Sequence, residues 1–196
     1  MIPPRLVLAT ANRGKLEELR ALVAEWGAAE LLSLADFPGV TCPEETGGSY
    51  LENALAKART VAAATALPAL ADDSGLEVEG LGGAPGVRSA RYAPTDAARV
   101  DRLLAELAGV PRAARRACFR SVVALAWPGG AAVTAEGTCR GRIATAPSGG
   151  GGFGYDPVFV ADGLGCSFAA AAPADKQRVS HRARAVRALG ARLASS

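Results

Sequence analysis

Lysine is scarce in this chain. Of 22 basic residues only Lys15, Lys57 and Lys176 are lysines. Where arginine fills nearly every basic position, a retained lysine can mark a place needing a compact, rotatable point charge, or it can be a leftover of composition. Histidine occurs once, as His181. The four cysteines, Cys42, Cys118, Cys139 and Cys166, show no CxxC spacing. With no clustered histidines, that argues against a zinc site and a disulfide frame. They read as free thiols of a reducing compartment, and a cytoplasmic location is expected. No apolar run approaches the ~20 residues of a membrane-spanning helix, and Met1-Ile2-Pro3-Pro4-Arg5 lacks a signal peptide's apolar stretch. No membrane partner is expected.

What is present suits a globular enzyme-sized chain. At 196 residues and 49% hydrophobic content it can bury a sizeable core in one domain, 1–196, with no linker or repeat to split it. The net charge of +3 is mildly basic and gathers at the C-terminal end. There Lys176, Arg178, Arg182, Arg184, Arg187 and Arg192 face one acid, Asp175. The stretch lacks interleaved aromatics, so it reads as a solvated helix face or as part of a site for an anionic ligand, not as a nucleic-acid surface.

Along the chain, Arg5–Ala9 predicts a buried strand and Leu16–Glu25 a helix with Leu16, Leu19, Leu22 and Val23 on one face. Between them lies Thr10-Ala11-Asn12-Arg13-Gly14-Lys15. Amides at such a helix start favour an anion, although the GxxxxGK[ST] spacing of a P-loop is absent. A second helix is predicted from Tyr50 to about Ala66, stopped at Pro68. Ala69-Leu70-Ala71 predicts a short strand ending at Asp72-Asp73-Ser74-Gly75. Two adjacent carboxylates there read either as a turn or cap or as a cation site. Val87–Tyr92 reads as extended, Thr95 as the cap of a helix to Ala108, and Arg116–Trp127 with Ala132–Ile143 as an antiparallel pair. Gly149–Gly152 form a flexible loop before Phe153-Gly154-Tyr155-Asp156 and a strand, Pro157–Val160. A last helix is expected over His181–Leu193, capped by Ser180.

Taken together, the ordered segments resemble the inosine/xanthosine triphosphate pyrophosphatase family. They are Thr10–Lys15, Glu44-Glu45-Thr46-Gly47, Glu52-Asn53-Ala54, Ala71–Gly75, Gly82–Gly86, Ser89–Tyr92, Gly151–Pro157 and Ser180-His181-Arg182. Two positions depart from the usual pattern: Asp175 stands for the more usual Glu, and Gln177 for Asn. The resemblance implies an α/β fold with an elongated mixed central sheet, flanking helices and two lobes with an active-site cleft between them. It implies a homodimer that hydrolyses inosine, deoxyinosine and xanthosine triphosphates (ITP, dITP, XTP) to the monophosphate and pyrophosphate. It assigns Mg2+ to Glu45 and Asp73.

On that basis Asp73 is the expected general base, oriented by Asp72. Thr10, Ala11, Asn12, Arg13, Gly14 and Lys15 are expected to hold the phosphates, with Ser74 on a phosphate or ribose oxygen. Phe153 would stack the purine, beside Gly154 and Tyr155. Lys176, His181 and Arg182 would donate hydrogen bonds to it, with Asp156 as an orienting acceptor. Core packing for Phe153 and a helix-cap contact for His181 are the bland alternatives. The rival functions are an enzyme of related shape acting on other aberrant nucleotides, pyrimidines included, and a non-catalytic nucleotide-binding regulator.

Overall fold

The computed structural model describes residues 1–27 and 30–195. The chain divides into two compact units. Unit 1 comprises Met1–Asp73, Ser121–Gly137 and Arg182–Ser196; unit 2 comprises Ser74–Arg120 and Thr138–His181.

Six strands form a mixed sheet in the order β2-β1-β3-β4-β5-β6. These are β1 (Arg5–Leu8), β2 (Glu30–Ser33), β3 (Ala69–Val78), β4 (Arg116–Ala126), β5 (Ala132–Ile143) and β6 (Phe159–Ala161). In unit 1, β1 pairs parallel with β2 (Arg5 opposite Glu30) and with β3 (Val7 opposite Ala69). In unit 2, β6 runs antiparallel to β5, with Ile143 opposite Phe159. The architecture is α/β, as expected.

The helices follow local chemistry. Helix α1 (Arg13–Ala24) starts where the Asn12 side chain accepts a hydrogen bond from the Lys15 amide at 2.9 Å, and it buries Leu19, Leu22 and Val23. Helix α2 (Tyr50–Thr65) is capped by Ser49, and Ala66 leaves it in a left-handed conformation. Helix α3 (Asp96–Glu106) is capped by Thr95, which accepts from the Ala98 amide. Helices α4 (Pro173–Val179) and α5 (His181–Ala194) complete the set. Among the described residues no helix is long and apolar enough to cross a membrane.

Each unit has its own core. In unit 1, Leu6, Leu8 and Leu70 of the strands pack with Leu19, Leu22, Val186 and Leu189 of α1 and α5. In unit 2, Phe119, Phe159 and Phe168 cluster with Leu76, Leu103 and Val158. Removing one such side chain, as in Leu19→Ala, costs about 2–5 kcal/mol.

Two expectations change. Asp72 and Asp73 do not end a short strand: β3 continues to Val78, so both lie inside it. Residues 87–92 are not extended, because Gly86–Arg91 forms a 3-10 helix. The Ser89 hydroxyl donates back to the Gly86 carbonyl at 2.6 Å while accepting from the Leu76 amide, which favours tight winding. The flank before Lys176 is helix α4, with Pro173 in its first turn.

Candidate active site

Adjacent residues on a strand project to opposite faces, and this separates the two aspartates. Asp73 meets α2. Its Oδ2 accepts from the Asn53 side-chain amide at 3.0 Å and its Oδ1 lies 3.2 Å from Lys57 Nζ. Lys57 Nζ also donates to Glu45 at 2.6 Å and to the Asp72 carbonyl at 2.8 Å. Asn53 and Lys57 lie four residues apart and share one helix face. Asn53 also accepts from the Gly47 amide at 2.8 Å, which fixes the loop that carries Glu45.

Asp72 faces the other way. Its Oδ2 lies 2.9 Å from Lys15 Nζ and 3.2 Å from the Arg182 guanidinium, and its Oδ1 accepts from the Ser121 hydroxyl. Arg182 is held in turn by Glu18 of α1. The Asp72 carboxylate is fully enclosed and Arg182 nearly so, so two cations and a hydroxyl compensate an otherwise costly buried charge.

These surroundings set the two carboxyls apart. Burial pushes Asp73 upward, Lys57 pulls it down and Glu45 pushes it up again, with a net rise. Burial also opposes ionisation of Asp72, but Arg182 and Lys15 outweigh it and hold that carboxyl well below the usual range. Burial works against the Lys57 charge, yet Asp73 and Glu45 keep it an ammonium. Glu45 is lowered: Lys57 overcomes its desolvation. The pattern is one aspartate held ionised well into acid beside one of raised proton affinity.

The residues expected to hold phosphate lie at the start of α1. The Thr10 hydroxyl accepts from the Asn12 amide at 3.2 Å. Ala11 lies exposed in the loop, and Gly14 is in the first turn. Arg13 is exposed and pairs with Glu17 at 3.0 Å. Ser74 follows Asp73 on β3 and is half-buried.

In unit 2, the loop bearing Phe153 is closed by the buried Asp156. Its Oδ2 accepts from the Phe153 amide at 2.8 Å and from Lys176 Nζ at 2.6 Å. Gly152 sits at φ +71°, and a Cβ there would lie 2.1 Å from Asp156 Oδ2, so only glycine fits this turn. Lys176 Nζ lies 5.1 Å from the Phe153 ring centroid, within cation–π range. The Tyr155 ring is buried and its hydroxyl donates to the Ser89 carbonyl at 3.0 Å, so that side chain serves the interior. The His181 ring stacks on Phe119, with centroids 4.6 Å apart.

The structure therefore gathers Lys15, Glu45, Asp72, Asp73 and Arg182 in unit 1, and Phe153, Gly154, Tyr155, Asp156, Lys176 and His181 in unit 2. Arg182 engages carboxylates of unit 1, whereas Lys176 engages Asp156 of unit 2. Sequence reasoning gave no site role to Lys57, Asn53, Glu18 or Ser121. Lysine scarcity flagged Lys57 as it flagged Lys15 and Lys176, but a single sequence gives no sign that α2 turns Lys57 onto Asp73.

Comparison with known proteins now decides the family. The family model described as the Ham1 family matches residues 6–192. The chain belongs to the Ham1 family. Among curated relatives of this Ham1-family chain, the dITP/XTP pyrophosphatase of Thermus thermophilus is 50% identical over 187 residues, covering 94% of this chain and 89% of that protein. That of Geobacillus kaustophilus is 48% identical over 184 residues, covering 92% and 90%. Among solved structures, a HAM1 protein from Coxiella burnetii superposes with a TM-score of 0.86 at 38% identity, covering 98% of this chain and 99% of that one.

Proposed function

We propose that this chain hydrolyses the non-canonical purine nucleoside triphosphates dITP, ITP and XTP to the nucleoside monophosphate and pyrophosphate. The family assignment and the curated relatives support the reaction. The observation that carries the chemistry is the buried Asp73 carboxylate, held by Asn53 and Lys57 beside Glu45. Glu45 and Asp73 present hard oxygen donors from two segments. That set fits Mg2+, which takes one or two carboxylates and completes its shell with water and phosphate oxygens. The family resemblance assigns the ion to Glu45 and Asp73. When bound, the ion supplies charge neutralisation on the phosphates and polarises water.

The chain's own groups do the rest. Asp73 takes the proton of the attacking water. The water oxygen bonds to the α-phosphorus, the bridging bond to the β-phosphate breaks, and pyrophosphate leaves with the bonding electron pair. Lys15 and the amides of the Thr10–Lys15 loop hold the terminal phosphates. Asp72 is an anchor whose charge keeps Lys15 and Arg182 in place. In unit 2, Phe153 stacks the purine and Lys176, oriented by Asp156, donates toward the C6 oxygen. Adenine presents an amino donor at that position, so a buried donor disfavours it. A cytoplasmic homodimer is the setting proposed, the assembly being testable by sedimentation.

A pyrophosphate-release assay over purine and pyrimidine triphosphates, with and without Mg2+, tests this reading. Release from dITP, ITP and XTP far above that from ATP, GTP and pyrimidines, and only with Mg2+, is the expected result. Equal turnover of pyrimidines would point to a broader house-cleaning enzyme. Nucleotide binding without turnover would point to a regulator.

A further inference from the structure

Phe153 follows four consecutive glycines, the least constrained backbone a chain can offer. A ring on such a loop stacks productively only if the loop is pinned. Three ties come from its neighbourhood: the Ser148 amide to the Pro157 carbonyl at 2.9 Å, the Gly151 amide to the Ala169 carbonyl at 3.0 Å, and the Phe153 amide to Asp156. The fourth comes from another element. The Gly154 amide donates at 2.7 Å to Asp96 Oδ2, at the first residue of α3 and 58 positions away.

Asp96 is itself aimed. Its Oδ1 accepts from Arg99 Nη1 at 2.6 Å, while Arg99 Nε donates to the Ala93 carbonyl at 2.9 Å. Helix α3 already has its cap in Thr95, so Asp96 is not needed for that purpose. An acidic residue in a first turn also interacts favourably with the helix dipole, but a solvent-facing carboxylate would do that equally well. Between α3 and the loop lies a cavity of about 360 Å³ lined by Asp96, Ala97, Val100, Phe153 and Pro157. The loop is thus not packed solidly against the helix, and a charge-assisted hydrogen bond links the two.

We propose that Asp96 is a positioning residue that holds the Gly154 amide and so presents the Phe153 ring to the substrate purine. The inference rests on the reading of Phe153 as the stacking surface.

Steady-state kinetics on dITP in Asp96→Ala, Asp96→Asn, Phe153→Ala and the double variant Asp96→Ala/Phe153→Ala test it. Asp96→Ala is expected to raise KM about threefold to tenfold with kcat within about twofold of wild type, a partial loss of the stacking contribution. Asp96→Asn keeps one acceptor for the amide but loses the charge and the acceptor facing Arg99, so it should recover KM in part. The inhibition constant of inorganic tripolyphosphate, which has no base, should not move. In the Phe153→Ala background the Asp96→Ala change should add nothing further, because the two act through one contact. An unchanged KM in Asp96→Ala, an equal loss in Asp96→Asn, or a full additive loss in the double variant would overturn the assignment. Phe153→Ala alone reports on the stacking reading: a normal KM there overturns that reading and the role of Asp96 with it. Thermal unfolding of each variant separates a loss of fold from a loss of position.

Discussion

Lys57 Nζ lies between the carboxylates of Glu45 and Asp73, 2.6 Å from the first and 3.2 Å from the second. One buried ammonium thus brings together two acids that would otherwise repel, and a third contact, to the Asp72 carbonyl, fixes its height along β3. The pair proposed as metal ligands is therefore held together by a cation of the chain itself.

Replacing Asp73 by Asn removes the proposed proton acceptor while keeping the shape and a partner for Asn53. Asp73→Asn is expected to lower kcat by at least about 10³-fold, the scale at which general-base catalysis and a charged site oxygen act together. Pyrophosphate release checks the rate, and thermal unfolding should show a nearly unchanged transition.

Lys57→Met leaves Glu45 and Asp73 facing each other without their cation. Lys57 lowers the proton affinity of Asp73, so its loss raises that affinity further. The base is then protonated up to a higher pH, and the acid limb of the kcat/KM profile should move upward. A loss of about 10²-fold at neutral pH is expected from the misplaced acids. A pH–rate profile of the variant against wild type makes the measurement.

Arg182→Met removes a nearly fully buried cation from Asp72 and Glu18. Stranding a buried charge in this way costs about 3–5 kcal/mol. Activity on ITP, ATP and GTP should fall by a common factor, since the guanidinium lies on two carboxylates. A loss confined to ITP, in parallel kcat/KM measurements, would instead make Arg182 a reader of the base.

Asp72 links stability to acid. Its folded proton affinity lies well below the usual carboxylate value, set mainly by Arg182 and Lys15 against its burial. The unfolded chain, with an aspartate near pKa ~3.9, then binds more protons in acid. The stabilisation is complete above that value and is lost as pH falls through the lower folded value. Urea unfolding of wild type between pH 5 and pH 2 should show this decline, and Asp72→Asn should flatten it.

Much of the fold was legible. Thr95 as a cap gave α3, and apolar residues at helical spacing before Pro68 gave α2, each nearly to the residue. Alternation gave β4 and β5, and Pro-Gly-Gly at 128–130 marked the turn between them. Strand β2 and helix α4 were not legible: β2, Glu-Leu-Leu-Ser, lacks the apolar run that marked β1, and α4 spans only seven residues. β2 pairs along its whole length with β1. The 3-10 turn at Gly86–Arg91 was also hidden, because its cause includes the bond from the Leu76 amide to Ser89, thirteen positions away.

The sequence by itself determined which residue types lie at which spacing. It set a glycine-bearing loop at a helix start, adjacent aspartates after an apolar run, a phenylalanine behind four glycines, and three lysines among arginines. Those are local properties, and local pattern carries them. Only the tertiary structure decided their roles: that Asp72 and Asp73 face opposite ways, that Lys57 joins Asp73 rather than solvent, and that Arg182 closes on Asp72 from 110 residues away. The physical reason is that a charge's behaviour depends on its burial and on its nearest opposite charge. Both are set by segments that meet only once the chain has folded.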